Sequence, residues 1–364
     1  MSAALPLCVV GGGLVGLRHA RLAAEHPHVA LVAVVETDPV RRAALADQGL
    51  PAVSDLDAVT GAEAAIVATP TPDHAATGLA AIGRGWAVLV EKPIAACLDQ
   101  ADALCTAAEA RGVPLLTGHH RRCHPFVTAA QGVLAELGPL VALQGLWSLR
   151  KPEDYFVPAW RRQPGAGPIM TNLNHDIDLV RCLAGDIARV ATMTSSAARG
   201  MAIEDTAALT FEMASGALGA FVISDAGASP WAFEAASGEN PHIAWSGEDC
   251  LRLIGTRASL AFPSLRLWYA DRPEGADWSH PLAHRPGPTL ARIDPLAAQL
   301  ARFAVVAAGG EDPGLADGAE GRATLEMTLA THLAAETGRP VARGGVPGGY
   351  GGPTALPTTP EDPR

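Results

Sequence analysis

Apolar runs alternate with amphipathic stretches along the first 120 residues. The runs "PLCVV", "VALVAVV", "AAIVATP", "WAVLVEKP" and "VPLLTGHH" are continuous, and segments with helical spacing separate them. A strand apolar on both faces must be covered on both faces, so this grammar predicts a parallel sheet flanked by helices. After about residue 120 the period shortens to two. In "TAALTFEM" Leu209, Phe211 and Met213 point one way and Thr210 and Glu212 the other, and "ASG" at 214–216 makes a hairpin turn. Together with "LVALQGLWSLR", "ARVATMTSSA" and "CLRLIGTRASLAF", this predicts a mostly antiparallel sheet with one wet or packed face. Helices are expected over 294–308 and 318–337, the second stopped by Gly338 and Pro340. "PLAHRPGP" reads as a loop, and Trp231 and Trp245 are expected to pack under the sheet. The boundaries that follow are 1–120, 121–343 and a Gly/Pro-rich tail over 344–364. The tail has almost nothing to bury, so it is expected to be disordered or draped over a partner.

Between the first strand and the first helix lies "GGGLVG", with Gly11, Gly13 and Gly16 in GxGxxG spacing. The first glycine makes a tight turn, the second lets backbone approach a pyrophosphate, and the third lets helix pack on strand. Glu36 closes the second strand, placed to accept bonds from ribose hydroxyls. The fold class is therefore α/β: an N-terminal Rossmann domain, then a C-terminal α/β domain with an open, mostly antiparallel sheet. A carboxylate at Glu36 repels a 2′-phosphate and favours NAD over NADP, while Arg41 and Arg42 nearby pull the other way. Gly11, Gly13, Leu14, Val15 and Gly16, with Glu36, Thr69, Pro70, His74, Glu91 and Lys92, form the expected cofactor set.

Lys92 follows Glu91 and precedes Pro93 at the carboxyl end of a buried strand, the edge at which open parallel sheets bind ligands. As a base near neutral pH it needs its pKa lowered from ~10.4 by about two to three units.

Bulk composition narrows the partners. A formal charge of −11 with scattered Lys and Arg argues against nucleic acid and anionic membranes. No apolar run approaches the ~20 residues of a membrane span, and the N-terminus lacks a charged leader region. The six cysteines show neither CxxC nor paired His spacing, which predicts idle thiols in the cytoplasm and no metal site.

The glycine turn, "ATPTPDHA" at 68–75, "EKP" at 91–93 and a Gly-rich segment entering "NHDID" together resemble the Gfo/Idh/MocA oxidoreductases over about residues 5–342. The resemblance implies NAD chemistry on the secondary alcohol of a sugar, cyclitol or related cyclic compound. It also implies Lys92 and His175 as the catalytic pair facing substrate over the nicotinamide, and a homodimer or homotetramer built through the C-terminal sheet. One departure stands out: many sugar-oxidising relatives carry Asp four residues before the His, and here that position is Thr171.

In "TNLNHDID" the spacing predicts a helix over 169–184, with Leu173, Ile177, Val180 and Ala184 on one stripe and Asn172 and His175 on a neighbouring face toward a cleft. His175 is the candidate acid/base, with Asp176 or Asp178 orienting it. Thr171, Asn172, Arg121, His120, Tyr155 and Trp160 are the candidate substrate contacts, and Lys151 and Arg161 share the loop that carries the last two. Competing readings are an NAD-recycling lyase or glycosidase without net redox, a dihydrodiol dehydrogenase, and a dinucleotide-binding regulator without chemistry.

Overall fold

The structure, a computed structural model, describes residues 4–353. The chain divides into two compact units. The first runs up to His124 and takes in Ile293–Leu325; the second is Pro125–Arg292 with the chain from Glu326 onward.

Among the described residues the first unit holds six parallel strands: Leu5–Val10, Val29–Val35, Ala52–Val53, Ala64–Val67, Ala87–Val90 and Leu115–Thr117. Their order in space is third, second, first, fourth, fifth, sixth. Every residue of Ala64–Val67 and Ala87–Val90 is buried, as unbroken apolar runs require. Parallel pairing sends all carboxyl ends to one edge, and the order reverses between the first and fourth strands, where ligand crevices form in such sheets.

The segment 293–325 was expected in the second domain but belongs to the first unit. Its helix Pro295–Ala307 places Leu300 and Phe303 in one core cluster with Leu7, Ile66 and Leu89. Local periodicity predicts such a helix but carries no information about which distant sheet it covers.

The second unit holds nine strands among the described residues. In spatial order they are Ala283–Arg285, Leu267–Tyr269, Ala258–Phe262, Leu251–Gly255, Leu140–Ser148, Leu218–Ser224, Thr206–Met213, Ile187–Ser195 and Val341–Ala342. The pair Leu140–Ser148 and Leu218–Ser224 is parallel and the other pairings are antiparallel. Leu209, Phe211 and Met213 are buried on the inner face with Phe221, as their alternation predicts. Helix Pro125–Leu137 packs on this sheet and against helix Asn174–Ala184.

Two expectations fail here. "PLAHRPGP" contains the strand Ala283–Arg285, paired with Leu267–Tyr269, because an edge strand needs only one neighbour and its short polar run gives no period. Trp231 and Trp245 are not under the sheet: they are 43% and 56% exposed. Trp245 instead donates its indole N–H to the Ala236 carbonyl and carries the Arg292 guanidinium 3.9 Å from its ring centre.

Of the expected tail, residues 344–353 lie against the second unit. The Gly344 N–H donates to the Glu326 carboxylate and Val346 is buried. Residues 354–364 are outside the described residues.

Candidate active site

The carboxyl edge of the parallel sheet is built to receive a dinucleotide. Gly11 has φ +103°, and a Cβ there would lie 2.5 Å from the Ala68 carbonyl oxygen. A Cβ on Gly16 would lie 1.8 Å from the Gly11 carbonyl oxygen, so helix Leu14–Glu25 sits on the strand only because that atom is missing. Gly13 is different: around its Cβ position there is nothing within 4 Å. It caps the helix without a side-chain bond, and no acidic residue occupies the first turn. The first N–H groups of that helix therefore face open space with the partial positive charge of the helix end behind them, which suits a pyrophosphate. Leu14 and Val15 are exposed beside it. The Thr69 hydroxyl, at the end of the neighbouring strand, is buried with no partner among the described residues. These features fit a dinucleotide cofactor.

Glu36 is buried at the end of the second strand. Its carboxylate accepts from Gly12 N–H at 3.1 Å, Asp38 N–H at 2.8 Å and the Arg41 guanidinium at 3.0 Å. Burial pushes its pKa up, but the bonds from Arg41, Asp38 and Gly12 outweigh burial and hold it below the ordinary value. Arg41 is thus tied to the acid that disfavours a 2′-phosphate. Arg42 donates to the carbonyls of Glu36 and Thr37.

Glu91 and Lys92 extend from the fifth strand at the same edge. Glu91 is buried, yet its pKa falls to about 2: burial raises it, and the hydrogen bond and charge of His19 more than offset this. The His19 ring Nε2 lies 2.7 Å from the carboxylate, and Lys92 N–H donates to its other oxygen at 3.2 Å. Lys92 is half-buried and the Lys92–Pro93 bond is cis. His74 is buried between two backbone carbonyls, Pro93 at 2.8 Å from Nδ1 and Thr69 at 2.8 Å from Nε2, so it joins the loops that follow the fourth and fifth strands. Pro70 is exposed where the 3-10 turn Thr71–Asp73 begins. His120 and Arg121 follow the sixth strand in the turn His120–Cys123. Burial lowers the His120 pKa to about 3, though the residue keeps partial exposure, and Arg121 is fully buried.

In the second unit, the helix expected over 169–184 starts differently. Ile169–Leu173 is a π-turn, and the α-helix proper is Asn174–Ala184. Such wide turns recur at functional sites. The polar residues of this turn do not face solvent: Asn174, His175, Asp176 and Asp178 are all buried. Asn174 donates to the Thr328 hydroxyl at 3.0 Å. The Thr171 hydroxyl lies 3.0 Å from the Gly167 carbonyl and 2.8 Å from the Asn172 side-chain oxygen, and it accepts from Lys151 Nζ at 3.3 Å. At this position the chain thus has a hydroxyl tethered to a largely buried lysine.

Tyr155 and Trp160 lie on consecutive 3-10 turns, Glu153–Phe156 and Ala159–Arg162. Tyr155 is partly buried and Trp160 is 59% exposed. Sequence reasoning passed over His19 and Glu204. His19 stands three residues after Gly16 on the same helix, a spacing that marks the face turned to the sheet. Glu204 accepts from Ile169 N–H at 3.1 Å and fills the space a Cβ on Gly167 would take, so it braces the start of the π-turn. No local pattern announces it.

Two family models match the chain. One, described as an oxidoreductase family with an NAD-binding Rossmann fold, covers residues 6–119, and the other, the GFO/IDH/MocA C-terminal domain, covers residues 130–261. A myo-inositol dehydrogenase from Streptomyces leeuwenhoekii is 33% identical over 190 residues, which is 50% of this chain and 56% of that protein. The chain spans about half the length of the curated relatives it matches. Among solved structures, an oxidoreductase from Agrobacterium radiobacter in complex with NAD+, L-tartaric acid and magnesium superposes with a TM-score of 0.76 at 20% identity, covering 94% of this chain and 99% of that one. A levoglucosan dehydrogenase in complex with NADH and levoglucosan gives 0.75 at 20% identity, covering 93% and 99%. At that identity the likeness speaks for the fold alone, but the matched sequence models span both units of the molecule. The chain belongs to the Gfo/Idh/MocA family of oxidoreductases, with an NAD-binding Rossmann fold at its N-terminal end.

Proposed function

We propose that the protein is an NAD-dependent dehydrogenase that oxidises, or in reverse forms, a secondary alcohol on a sugar, cyclitol or related cyclic compound. One observation carries this reading. A single sheet edge gathers an open glycine cradle at Gly13, the Glu36 carboxylate and a lysine whose backbone is fixed by the buried Glu91–His19 pair.

Oxidising a CH–OH group removes a hydride and a proton. The nicotinamide, when bound, takes the hydride. The chain's own residues deal with the proton. We assign it to Lys92 and His175, the first at the sheet edge and the second in the opening turn of helix Asn174–Ala184. Gly11, Gly13, Leu14, Val15 and Gly16 hold the pyrophosphate, Glu36 the ribose, and Thr69 offers its buried hydroxyl. Asn172 and Thr171 hold substrate oxygens. A cytosolic setting belongs to this proposal, with Cys8, Cys97, Cys105, Cys123, Cys182 and Cys250 all free thiols.

The proposal extends to assembly. The outer face of the larger sheet aligns Ala142, Leu218, Ala220, Val222 and Ile254 with Gln144, Thr210, Glu212 and Arg252 among them, a mixed apolar and polar face suited to a second copy of the chain. Light scattering on the purified protein tests this; a monomer at every concentration sinks it.

The test of the activity is absorbance at 340 nm with NAD across sugars, cyclitols, sugar acids and dihydrodiols, using Lys92→Ala as control. Turnover should vanish in the variant while NADH binding persists. Near-wild-type turnover removes Lys92 from the chemistry. Product without net NADH would move the protein to the cofactor-recycling class.

A further inference from the structure

The loop of Tyr155 and Trp160 carries two cations that the proton chemistry above does not use. Lys151 is only 11% exposed at its side chain. Its ammonium lies 3.4 Å from Asp225, 3.3 Å from the Thr171 hydroxyl and 4.7 Å from the centre of the Tyr155 ring. The Arg161 guanidinium lies 4.1 Å from the centre of the same ring and 5.2 Å from that of Trp160. One of its N–H groups donates to the Tyr155 carbonyl at 2.8 Å. Among the described residues no carboxylate lies within ion-pair distance of Arg161, and its Nε is buried without an acceptor.

The negative charge nearby is already committed. Asp225 is 1% exposed and also takes the Arg199 guanidinium at 3.0 Å, while Glu153 takes Arg199 at 3.2 Å and Arg150 at 3.1 Å, so two carboxylates serve three cations before Arg161 is counted. Buried charges are ordinarily paired one to one, and a guanidinium stacked on aromatic rings with its fork unfilled is the arrangement that grips a planar oxyanion. The surplus also adjoins the substrate side: Lys151 holds Thr171, next to Asn172 and four residues before His175.

We propose that Lys151 and Arg161, braced on Tyr155, form a subsite for an anionic group of the substrate, a carboxylate or a phosphoryl, so that the substrate is an acidic hydroxy compound rather than a neutral sugar. This rests on the dehydrogenase reading for what happens to the substrate, but not for whether the anion binds. Burial lowers the Lys151 pKa, and an arriving anion would offset the cost of that burial.

The test is isothermal titration of malonate, and separately of inorganic phosphate, into full-length protein saturated with NADH, so that the pyrophosphate edge is filled. At least one probe should bind, and 1,3-propanediol, the neutral analogue of malonate, should not. Arg161→Gln should weaken binding at least about tenfold, the loss of one charge-assisted hydrogen bond, with NADH affinity unchanged as the control for folding. Arg161→Lys, which keeps the charge and loses the fork, should fall between. Malonate binding points to a carboxylate and phosphate binding alone to a phosphoryl group. Binding of neither probe, or equal binding in Arg161→Gln, overturns the subsite and leaves the dehydrogenase reading standing. A flat 340 nm panel beside intact, Arg161-dependent binding does the reverse.

Discussion

The two sheets of this protein expose their residues in different ways. In the parallel sheet of the first unit, neighbours such as Val88 and Leu89 point to opposite faces and both are buried. In the larger sheet of the second unit, Phe221 is buried while Val222 beside it is 40% exposed. A sheet hidden on both faces leaves only its ends for chemistry, and this one offers a carboxyl edge with a glycine cradle. A sheet with a bare face can present a broad surface to another chain. Its candidate chemistry lies in the helix and loops of its own unit, not in its strands.

The sharpest way to break this comparison is a set of alanine substitutions at adjacent strand positions. Leu89→Ala should cost about 2–5 kcal/mol and Phe221→Ala about 3–5 kcal/mol, because each leaves a cavity. Val88→Ala should also destabilise, whereas Val222→Ala should stay within roughly 0.5 kcal/mol for the isolated chain. Equal costs at Val222 and Phe221 in denaturant melts would mean that the outer face is covered.

Acid should separate the units next. In the first unit, burial lowers the pKa of His120 to about 3 and of His124 to about 4. A lowered folded pKa means stability that is full above the unfolded value of 6.5 and lost as pH falls toward the folded one. In the second unit His332 behaves likewise, falling to about 4 through burial. There, however, burial raises Glu204 to about 7, and a raised acid contributes stability that is full below the unfolded value of 4.5 and lost as pH rises through 7. Both line one cavity of about 200 Å³ with Thr194, Glu336 and Pro353. Between pH 7 and 5 the two effects oppose in the second unit and nothing comparable offsets the histidines in the first. Hydrogen exchange at pH 5 should therefore show the parallel sheet losing protection first, and Glu204→Gln should remove the second unit's advantage. Simultaneous loss in both units would refute this.

The glycines give a smaller contrast. Gly16→Ala forces a methyl against the Gly11 carbonyl and should cost about 1–3 kcal/mol of stability. Gly13→Ala meets nothing in the protein, so its melting temperature should hold while NADH affinity drops. If Gly13→Ala binds NADH normally, the cradle lies elsewhere. Smallest of all, Glu36→Ala should narrow the gap between NAD and NADP affinities by about 1 kcal/mol, the worth of one net hydrogen bond. An unchanged ratio, measured by fluorescence titration of both reduced cofactors, takes Glu36 out of the ribose site.

Much of this was legible in the residues themselves. Continuous against alternating apolar runs separated the two sheet types, since side-chain direction in a strand has a period of two whatever surrounds it. GxGxxG after a strand, Glu36 at the next strand end and Lys92 after Glu91-containing "VLVE" followed from local order, because parallel strands bring all such ends to one edge. Tertiary structure decided what depends on long-range packing: that Pro295–Ala307 returns to the first core, that Trp231 and Trp245 stay about half exposed, and that the π-turn at Ile169–Leu173 precedes the helix. It also decided the pairings that set charge, His19 with Glu91, Lys151 with Thr171 and Asp225, and Glu204 under Gly167. A backbone period is a property of neighbours in the chain, whereas a buried charge takes its partner from whatever the fold brings within about 3 Å, and that distance has no signature in sequence.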